Sequence, residues 1–247
     1  MVTVMACKQI AIALCVVATL QIYVSASKCG IPSRFWCDSK QTASACGVIE
    51  QCSVNEWTLR EDAEPVDFVL YYESLCPDCK GFITDMLFPT YEKLQSITNL
   101  TLIPYGNAEE TKVGDVWQFQ CQHGPQECIG NLIATCTIEI VKNITVYFPF
   151  LNCMEASNLQ PNQSAAKCAD QFHVPLKEIF NCVNSAHGNE LEHQMALKTN
   201  ALNPPHTYVP WVTLNGVHTE KIQNEAQNDL KKLLCDTYKG PKPAACS

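Results

Sequence analysis

The fold is decided by the stretch Val66-Asp-Phe-Val-Leu-Tyr-Tyr-Glu-Ser-Leu-Cys76-Pro-Asp-Cys79, in which an apolar run ends in a Cys-x-x-Cys motif. Residues 66–72 are mostly β-branched, aromatic or aliphatic, which is typical of a buried central strand. After the two cysteines, apolar residues recur at helical spacing as far as residue 97, and Pro89 is expected to bend this helix. Residues 100–105 form a second short apolar run. A strand, a helix and a strand in this order predict a parallel βαβ unit with a right-handed crossover.

The C-terminal part of the chain predicts the other half of the same sheet. Residues 208–214 are expected to form a strand, Asn215-Gly216 is the preferred two-residue hairpin turn, and residues 217–219 are expected to return antiparallel. An amphipathic helix over about 221–234 follows. One parallel half and one hairpin half together predict an α/β protein with a thioredoxin-like fold over residues 65–235.

The two halves are separated by residues 109–190, which carry six cysteines and several helical patterns. A structureless loop of that length is uncommon in a compact domain. The segment is therefore predicted to be a disulfide-rich helical insertion.

The composition excludes several classes of protein. Of 247 residues, 47% are apolar and 17% are charged, and the formal net charge is -8. These values suit one full-sized globular domain with or without a small module, and they argue against a fibrous or disordered chain. The negative charge offers no basic surface to neutralise phosphates, so nucleic acid is not expected as a partner.

The N-terminus has the pattern of a secretory signal peptide. Lys8 precedes an apolar run over residues 10–24, and Ala26 occupies a small-residue position before the expected cleavage site. The predicted signal peptide is residues 1–26. The alternative is an uncleaved membrane anchor, but the run is shorter than the roughly 20 residues that a spanning helix needs. No transmembrane anchor is expected in the mature chain.

The cysteine content supports this route, because 16 cysteines indicate an oxidising compartment. Outside the Cys-x-x-Cys pair they fall into blocks of even number, so structural disulfides can absorb them in pairings that the sequence leaves open. The candidates outside residues 121–136 are Cys29, Cys37, Cys46, Cys52, Cys153, Cys168, Cys182, Cys235 and Cys246. Three glycosylation acceptors also suit a secreted or lysosomal protein: Asn99, Asn143 and Asn162.

The Cys-x-x-Cys motif lies where the predicted strand ends and the helix begins. Backbone N–H groups and the helix dipole at this position stabilise a thiolate, which predicts Cys76 as a nucleophile. Cys79, one turn later, is then the resolving thiol that attacks a mixed disulfide formed at Cys76. The alternatives are a permanent local disulfide or half of a zinc site. No second Cys-x2-Cys accompanies the pair, so no metal is expected.

Val209-Pro210 opens the later strand with a residue that has no N–H to donate to a ladder. In a thioredoxin-like fold this peptide bond is expected to be cis and to lie against the Cys-x-x-Cys motif, where the Val209 backbone can pair with an extended substrate. The alternative is a proline tolerated on an edge strand.

The signature segment, residues 121–136, resembles the gamma-interferon-inducible lysosomal thiol reductases. Its sequence matches their C-Q-H-G-x2-E-C-x2-N-x4-C signature at Cys121, Gln122, His123, Gly124, Glu127, Cys128, Asn131 and Cys136. Residues 104–108 and 204–216 are also similar to the family. The resemblance implies a reductase that opens disulfides of endocytosed or lysosomal proteins at acid pH through Cys76 and Cys79.

Within the signature segment, Cys121, Cys128 and Cys136 are expected to cross-link the insertion over the active site. His123 and Glu127 are expected to cap or hydrogen-bond local backbone, and direct proton transfer by His123 is the less favoured alternative.

Residues 27–57 resemble a saposin A-type segment, on the spacing Cys29-x7-Cys37-x8-Cys46-x5-Cys52. This segment is too short to bury a core without cross-links. It is interpreted either as a trafficking or processing element or as a stabilising appendage.

The predicted function is therefore the reduction of disulfide-containing protein substrates, with a small thiol as reductant and no cofactor. Two alternatives use other chemistry: a disulfide isomerase or oxidase with the same pair, and a secreted binding protein in which the pair is vestigial. Residues 236–247 are a tail that could be removed as a propeptide, and Cys246 could link two chains in a disulfide-bonded dimer.

Overall fold

The computed structural model describes residue 36 and residues 40–53 and 63–247. These divide into an N-terminal unit, up to Ala63, and a larger C-terminal unit that begins at Glu64. The predicted signal peptide, residues 1–26, lies outside the described residues. So do Cys29 and Cys37 of the saposin A-type segment.

The described part of the N-terminal unit contains two short helices, α1 (Lys40–Cys46) and α2 (Ile49–Ser53). Gly47 lies between them with a positive φ of 69°, a conformation that glycine adopts without steric cost. Cys46 and Cys52 are both buried and both disulfide-bonded. Cross-linking thus stabilises a segment with little core of its own.

The C-terminal unit contains five strands in two sheets. They are β1 (Val66–Tyr72), β2 (Thr98–Pro104), β3 (Glu109–Val113), β4 (Val116–Gln120) and β5 (Trp211–Leu214). The main sheet has the order β2-β1-β5, with β1 parallel to β2 and antiparallel to β5. Alternate residues of β1 are buried, as a strand covered mainly on one face requires. The predicted βαβ unit and thioredoxin-like fold are confirmed.

The crossover between β1 and β2 is helical but not uniform. It begins with α3 (Pro77–Gly81), widens into a π-helical turn (Phe82–Leu87) and continues as α4 (Phe88–Leu94), and a 3₁₀ turn (Gln95–Ile97) leads into β2. Pro89 has no N–H to donate, and the Phe88 N–H before it bonds to the carbonyl of Ile83, five residues back. The chain accommodates the proline with a wider turn, where the sequence predicted a bend.

The turn after β5 has the predicted form, with positive φ at Asn215 and Gly216 and a mutual backbone hydrogen-bond pair between Leu214 and Val217. The predicted return strand over 217–219 is wrong, because pairing stops after that single bridge. The ring of His218 bonds to the carbonyl of Val212 at 2.9 Å, so a side chain replaces further ladder bonds. The last long helix begins at once.

The helices of the insertion and the last long helix follow in chain order. They are α5 (Pro125–Val141), α6 (Ile144–Ala156), α7 (Pro161–Phe172), α8 (Leu176–Val183), α9 (Ala186–Asn200) and α10 (Glu220–Thr237). The side chain of Thr219 caps α10, and Asp229 interrupts its helical backbone. The insertion is helical from Pro125 onward, but residues 109–120, predicted to belong to the helical part, form the β3–β4 hairpin.

Disulfides tie the insertion together. Cys121–Cys128 joins the end of β4 to α5, Cys136–Cys182 joins α5 to α8, and Cys153–Cys168 joins α6 to α7. These three disulfides pair all six cysteines of the insertion, whose connectivity the sequence left open.

The tail is attached in the same way, since Cys246 in a 3₁₀ turn (Ala244–Cys246) is bonded to Cys235 in α10. The sequence left open whether Cys246 links two chains, and in this structure its sulfur is bonded within the chain. Cys76 and Cys79 are the free cysteines of the described residues. No helix in the described ranges has the length and apolarity that crossing a membrane requires.

The three predicted glycosylation acceptors lie at the surface of the C-terminal unit. Asn99 is on β2, Asn143 caps α6 and Asn162 is in the first turn of α7, and all three are exposed. Their modification remains a prediction.

Candidate active site

The site is built around Cys76, which is the N-cap residue of α3. Pro77 follows at the first helical position, where its missing N–H costs nothing. The Cys76 sulfur accepts a hydrogen bond of 3.4 Å from the backbone N–H of Cys79. The structure therefore places the Cys76 sulfur at the N-terminus of a helix, as predicted.

The two thiols have opposite properties. A hydrogen bond from the Cys79 thiol, together with the N–H groups of Cys79 and Asp78, lowers the pKa of Cys76 to about 6, although burial and the Asp78 charge oppose this. Burial and the same thiol hydrogen bond raise the pKa of Cys79 far above its usual value. Cys79 is fully buried, whereas 6% of Cys76 is exposed. Only Cys76 is both ionisable and accessible.

Three side chains from distant parts of the chain meet beside the pair: Glu73 after β1, His123 after β4 and Glu127 in α5. The ring nitrogen Nδ1 of His123 lies 3.4 Å from Glu73 Oε1 and makes a short contact with Glu127 Oε2. Both carboxylate side chains are fully buried, and 34% of the His123 side chain is exposed. The backbone N–H of His123 also donates to Glu127 Oε1 at 3.1 Å.

The predicted hydrogen bond to local backbone is observed, because Glu127 accepts from the backbone N–H of His123. The sequence did not predict Glu73, which brings a second buried carboxylate to the same imidazole.

Glu73 is held from its other side by the turn after β2. Its Oε2 accepts a hydrogen bond of 2.7 Å from the N–H of Asn107. Gly106 has a φ of 64°, and a Cβ there would lie 2.4 Å from Glu73 Oε2. Only glycine allows this close approach. The Asn107 side chain donates to Gln122 of the signature segment at 2.7 Å, which ties the same turn to the His123 loop.

A further buried carboxylate, Glu155 of α6, lies close to the loop that leads to Cys76. It is 3.5 Å from the hydroxyl of Ser74. Burial raises the pKa of Glu155 to about 7, opposed by the charge of Lys80. Burial likewise raises the pKa of Glu73 to about 7, with the Asn107 N–H opposing and the charges of Glu127 and Cys76 adding to the rise. The thiols thus share their surroundings with two carboxyl groups that bind protons near neutral pH.

The rest of the signature segment positions these groups. Asn131 accepts from the Ser74 N–H, and Gly130 packs so closely on Ser74 that a Cβ would meet it at 2.7 Å. Gly124, with a φ of 89°, is the N-cap residue of α5. The Cys121–Cys128 disulfide closes the loop that carries His123, while Cys136 cross-links the helices of the insertion.

The Val209-Pro210 peptide bond is cis, as predicted. Together with the start of α3 it lines a groove of about 600 Å³, whose other walls come from the π-helical turn and α10. The side chain of Gln223 donates to the carbonyl of Pro210 at 2.9 Å and so fixes the loop. The groove brings the Pro77-Asp78 dipeptide and the cis-proline loop to one surface.

The group Glu73, His123 and Glu127 has ligand atoms within 4.8 Å of one another, which is the spacing of a metal site. However, the nitrogen that would bind a metal already contacts Glu127. His123 and Glu127 satisfy each other as an acid–base pair, and we assign no metal to the cluster.

Glu73, Ser74 and Glu155 are the site residues that sequence analysis missed. Glu73 could have been noticed, because an acidic residue at the end of an apolar strand and three positions before the first cysteine is unusual for a buried strand end. Nothing in the local pattern of α6 distinguishes Glu155.

Comparison with known proteins agrees with these observations. The family model "Gamma interferon inducible lysosomal thiol reductase (GILT)" matches residues 66–172, and the model "Saposin A-type domain" matches residues 26–58. The gamma-interferon-inducible lysosomal thiol reductase of Carassius auratus is 44% identical over 222 residues, which cover 89% of this chain and 85% of that protein.

The Mus musculus protein of the same name is 34% identical over 212 residues, or 85% of this chain and 82% of that protein. Among solved structures, Chlamydia trachomatis DsbA matches with a TM-score of 0.48 at 14% identity and covers 69% of this chain and 88% of that chain.

Proposed function

Because this chain belongs to the gamma interferon inducible lysosomal thiol reductase family, and is therefore a thiol-disulfide oxidoreductase, we propose that it reduces protein disulfides at acid pH in the endolysosomal system. Cys76 is the nucleophile and Cys79 the resolving thiol. The observation that carries this proposal is the position of the Cys76 sulfur at the N-cap of α3, where it accepts a hydrogen bond of 3.4 Å from the Cys79 N–H. Hydrogen bonds at this position lower the pKa of Cys76 to about 6.

The reaction balances over two exchange steps. The Cys76 thiolate attacks one sulfur of the substrate disulfide, which forms a mixed disulfide and releases the other substrate sulfur as a thiolate. Cys79 then loses its proton and attacks the Cys76 sulfur, so that a Cys76–Cys79 disulfide forms and the second substrate sulfur leaves as a thiol. A small-thiol reductant supplies the two electrons that restore the pair.

The lowered pKa of Cys76 supports activity in acid. A thiol with a pKa of about 8.5 is roughly 0.03% ionised at pH 5, whereas a pKa of about 6 leaves about a tenth of it ionised. The gain is more than a hundredfold in the concentration of nucleophile.

Substrate is proposed to bind in the groove beside the cis-proline loop. An extended segment that flanks the target disulfide would pair with the Val209 backbone, and the groove leads to Pro77 at the start of α3.

The chain is further proposed to enter the secretory pathway through the signal peptide and to be glycosylated at the three exposed acceptors. The saposin A-type segment then acts in trafficking or processing. If proteolysis cuts between Cys235 and Cys246, their disulfide would keep the tail attached.

The test is reduction of a denatured disulfide protein at pH 5 and pH 7 with a small-thiol donor. We expect Cys76→Ser to abolish turnover, and Cys79→Ser to accumulate a mixed disulfide that non-reducing electrophoresis detects. Turnover that survives in Cys76→Ser would overturn the assignment.

An isomerase or an oxidase would use the same pair. A stabilised Cys76 thiolate favours the reduced pair, and this makes the Cys76–Cys79 disulfide a stronger oxidant, as an oxidase requires. A redox titration of the pair against glutathione separates these activities. A reductase requires a potential above that of the donor thiol, which must reduce the pair, and below that of the substrate disulfide, which the pair must reduce.

A further inference from the structure

The imidazole of His123 is the meeting point of two buried carboxylates. Its Nδ1 contacts Glu127 and lies 3.4 Å from Glu73 Oε1. Two buried carboxylates that share one nitrogen repel each other unless a positive charge lies between them. The geometry therefore favours the imidazolium, with both ring nitrogens protonated, when both carboxyl groups are ionised.

Glu73 has no other way to satisfy this oxygen. Its Oε1 is buried and has no hydrogen-bond partner, while the Asn107 N–H holds Oε2 and the Cα of Gly106 closes that side. Glu73 follows β1 directly and lies three residues before Cys76, in the loop that leads to the redox pair. Glu73 thus places the imidazole cluster beside that loop.

We propose that His123 is a positioning residue whose imidazolium, held between Glu73 and Glu127, increases the fraction of Cys76 that remains a thiolate as the surroundings become acid. This inference rests on the proposed function and adds to it the groups that adapt the pair to low pH. His123 does not line the proposed substrate groove, and it acts through its charge on Cys76.

Most of the charged groups that interact with Cys76 are negative. Asp78 of α3, Glu73 after β1 and Glu155 of α6 all oppose a thiolate through their negative charge. Lys80 of α3 acts on Glu155, and Glu127 of α5 acts on Glu73, Glu155 and His123. Of the groups that interact with the Cys76 charge, His123 is the one that becomes positive.

The coupling between His123 and Cys76 works in both directions. Burial by itself would lower the pKa of His123, but the hydrogen bond and charge of Glu127 and the charges of Glu73 and Cys76 raise it overall. A thiolate that favours the imidazolium is favoured by it to the same extent. As the pH falls through about 7, Glu73 and Glu155 also bind protons and cease to oppose the thiolate. Acidification therefore removes negative charge from the site while His123 retains its positive charge.

The test measures the rate at which iodoacetamide alkylates Cys76 in the reduced full chain between pH 4 and pH 9, with mass spectrometry to identify the labelled cysteine. In His123→Gln we expect the midpoint of the curve to rise by about one unit, which lowers the rate at pH 5 about tenfold. His123→Lys, which keeps a positive charge, should recover most of that loss. His187→Gln, an exposed histidine on α9, is the control and should leave the curve unchanged.

Glu73→Gln provides a shift of opposite sign. Removing this negative charge should lower the midpoint, so that the rate rises around pH 6. The rate should change little at pH 7.5, where Cys76 is already almost fully ionised, and little at pH 5, where Glu73 is already protonated. A merely structural disturbance would move both variants in the same direction. An unchanged or lowered midpoint in His123→Gln, or a raised midpoint in Glu73→Gln, overturns the proposal.

If His123→Gln does not fold, the sign of the Glu73→Gln shift decides. Alkylation is measured without turnover, so failure here leaves the reductase assignment intact, whereas turnover in Cys76→Ser removes that assignment whatever the alkylation curves show.

Discussion

The side-chain oxygen of Asn131 accepts a hydrogen bond of 2.7 Å from the backbone N–H of Ser74, which lies 57 positions earlier in the chain. The amide nitrogen of Asn131 donates to the carbonyl of Tyr105 at 3.3 Å. Asn131 is fully buried, so one side chain from α5 fastens both the loop before Cys76 and the turn after β2. The insertion therefore holds the redox loop in place, although it contributes neither thiol.

Replacing this amide is expected to be costly. Asn131→Ala leaves the buried N–H of Ser74 unpaired and removes one of two hydrogen bonds to the Tyr105 carbonyl, which also accepts from the Ala108 N–H. The free energy of unfolding should fall by about 2 kcal/mol. Urea unfolding at pH 5 measures the loss. Asn181→Ala, at an exposed position of α8, should change stability by less than about 0.5 kcal/mol. Equal effects of the two variants would contradict the anchoring role.

Asp78 lies between the two cysteines, and its charge raises the pKa of Cys76. Asp78→Asn should therefore lower that pKa and increase the thiolate fraction between about pH 5 and pH 7. Absorbance of the thiolate at 240 nm, followed during a pH titration, reports the change. Asp85→Asn, an exposed carboxylate of the π-helical turn, is the matched control. A Cys76 pKa that stays the same or increases in Asp78→Asn would refute this electrostatic account.

The disulfides of the insertion should differ in their contribution to stability. Cys136–Cys182 closes a loop of 46 positions and Cys121–Cys128 one of 7. Loop-closure entropy predicts losses of about 4 and about 2 kcal/mol when each pair is replaced by two alanines. Chemical denaturation of the two double variants provides the comparison, and a larger loss for the shorter loop would be the contrary result.

Glu192 gives the fold a pH dependence that is separate from catalysis. Its carboxyl accepts a hydrogen bond from Thr135 at 2.7 Å, and burial raises its pKa to about 8. A carboxyl whose pKa is higher in the folded state than in the unfolded state stabilises the fold fully below about pH 4, and this stabilisation is lost as the pH rises through about 8.

The melting temperature should therefore fall between pH 5 and pH 8.5, and Glu192→Gln should reduce that fall. Differential scanning calorimetry at the two pH values measures it. Glu190→Gln, exposed on the same helix, should behave like the parent. A parent protein whose melting temperature rises over this range would contradict the sign.

The local patterns predicted the sheet well. The apolar run of residues 66–72 became the central strand, and Asn215-Gly216 formed the expected turn, because alternation and turn chemistry act within a few residues. The same approach failed at residues 217–219 and 109–120. In the first case the His218 ring takes the carbonyl that the strand would need, and in the second a hairpin precedes the helices of the insertion.

The sequence by itself determined the free Cys-x-x-Cys pair at a strand-to-helix junction, the cis-proline position and the family, because each of these is carried by adjacent residues. Only the tertiary structure decided which groups surround that pair. Glu73, His123 and Glu155 come from three separate elements, and their proton affinities depend on burial and on each other's charge. Burial and contact between distant segments are properties of the packed chain, so no local pattern could specify them.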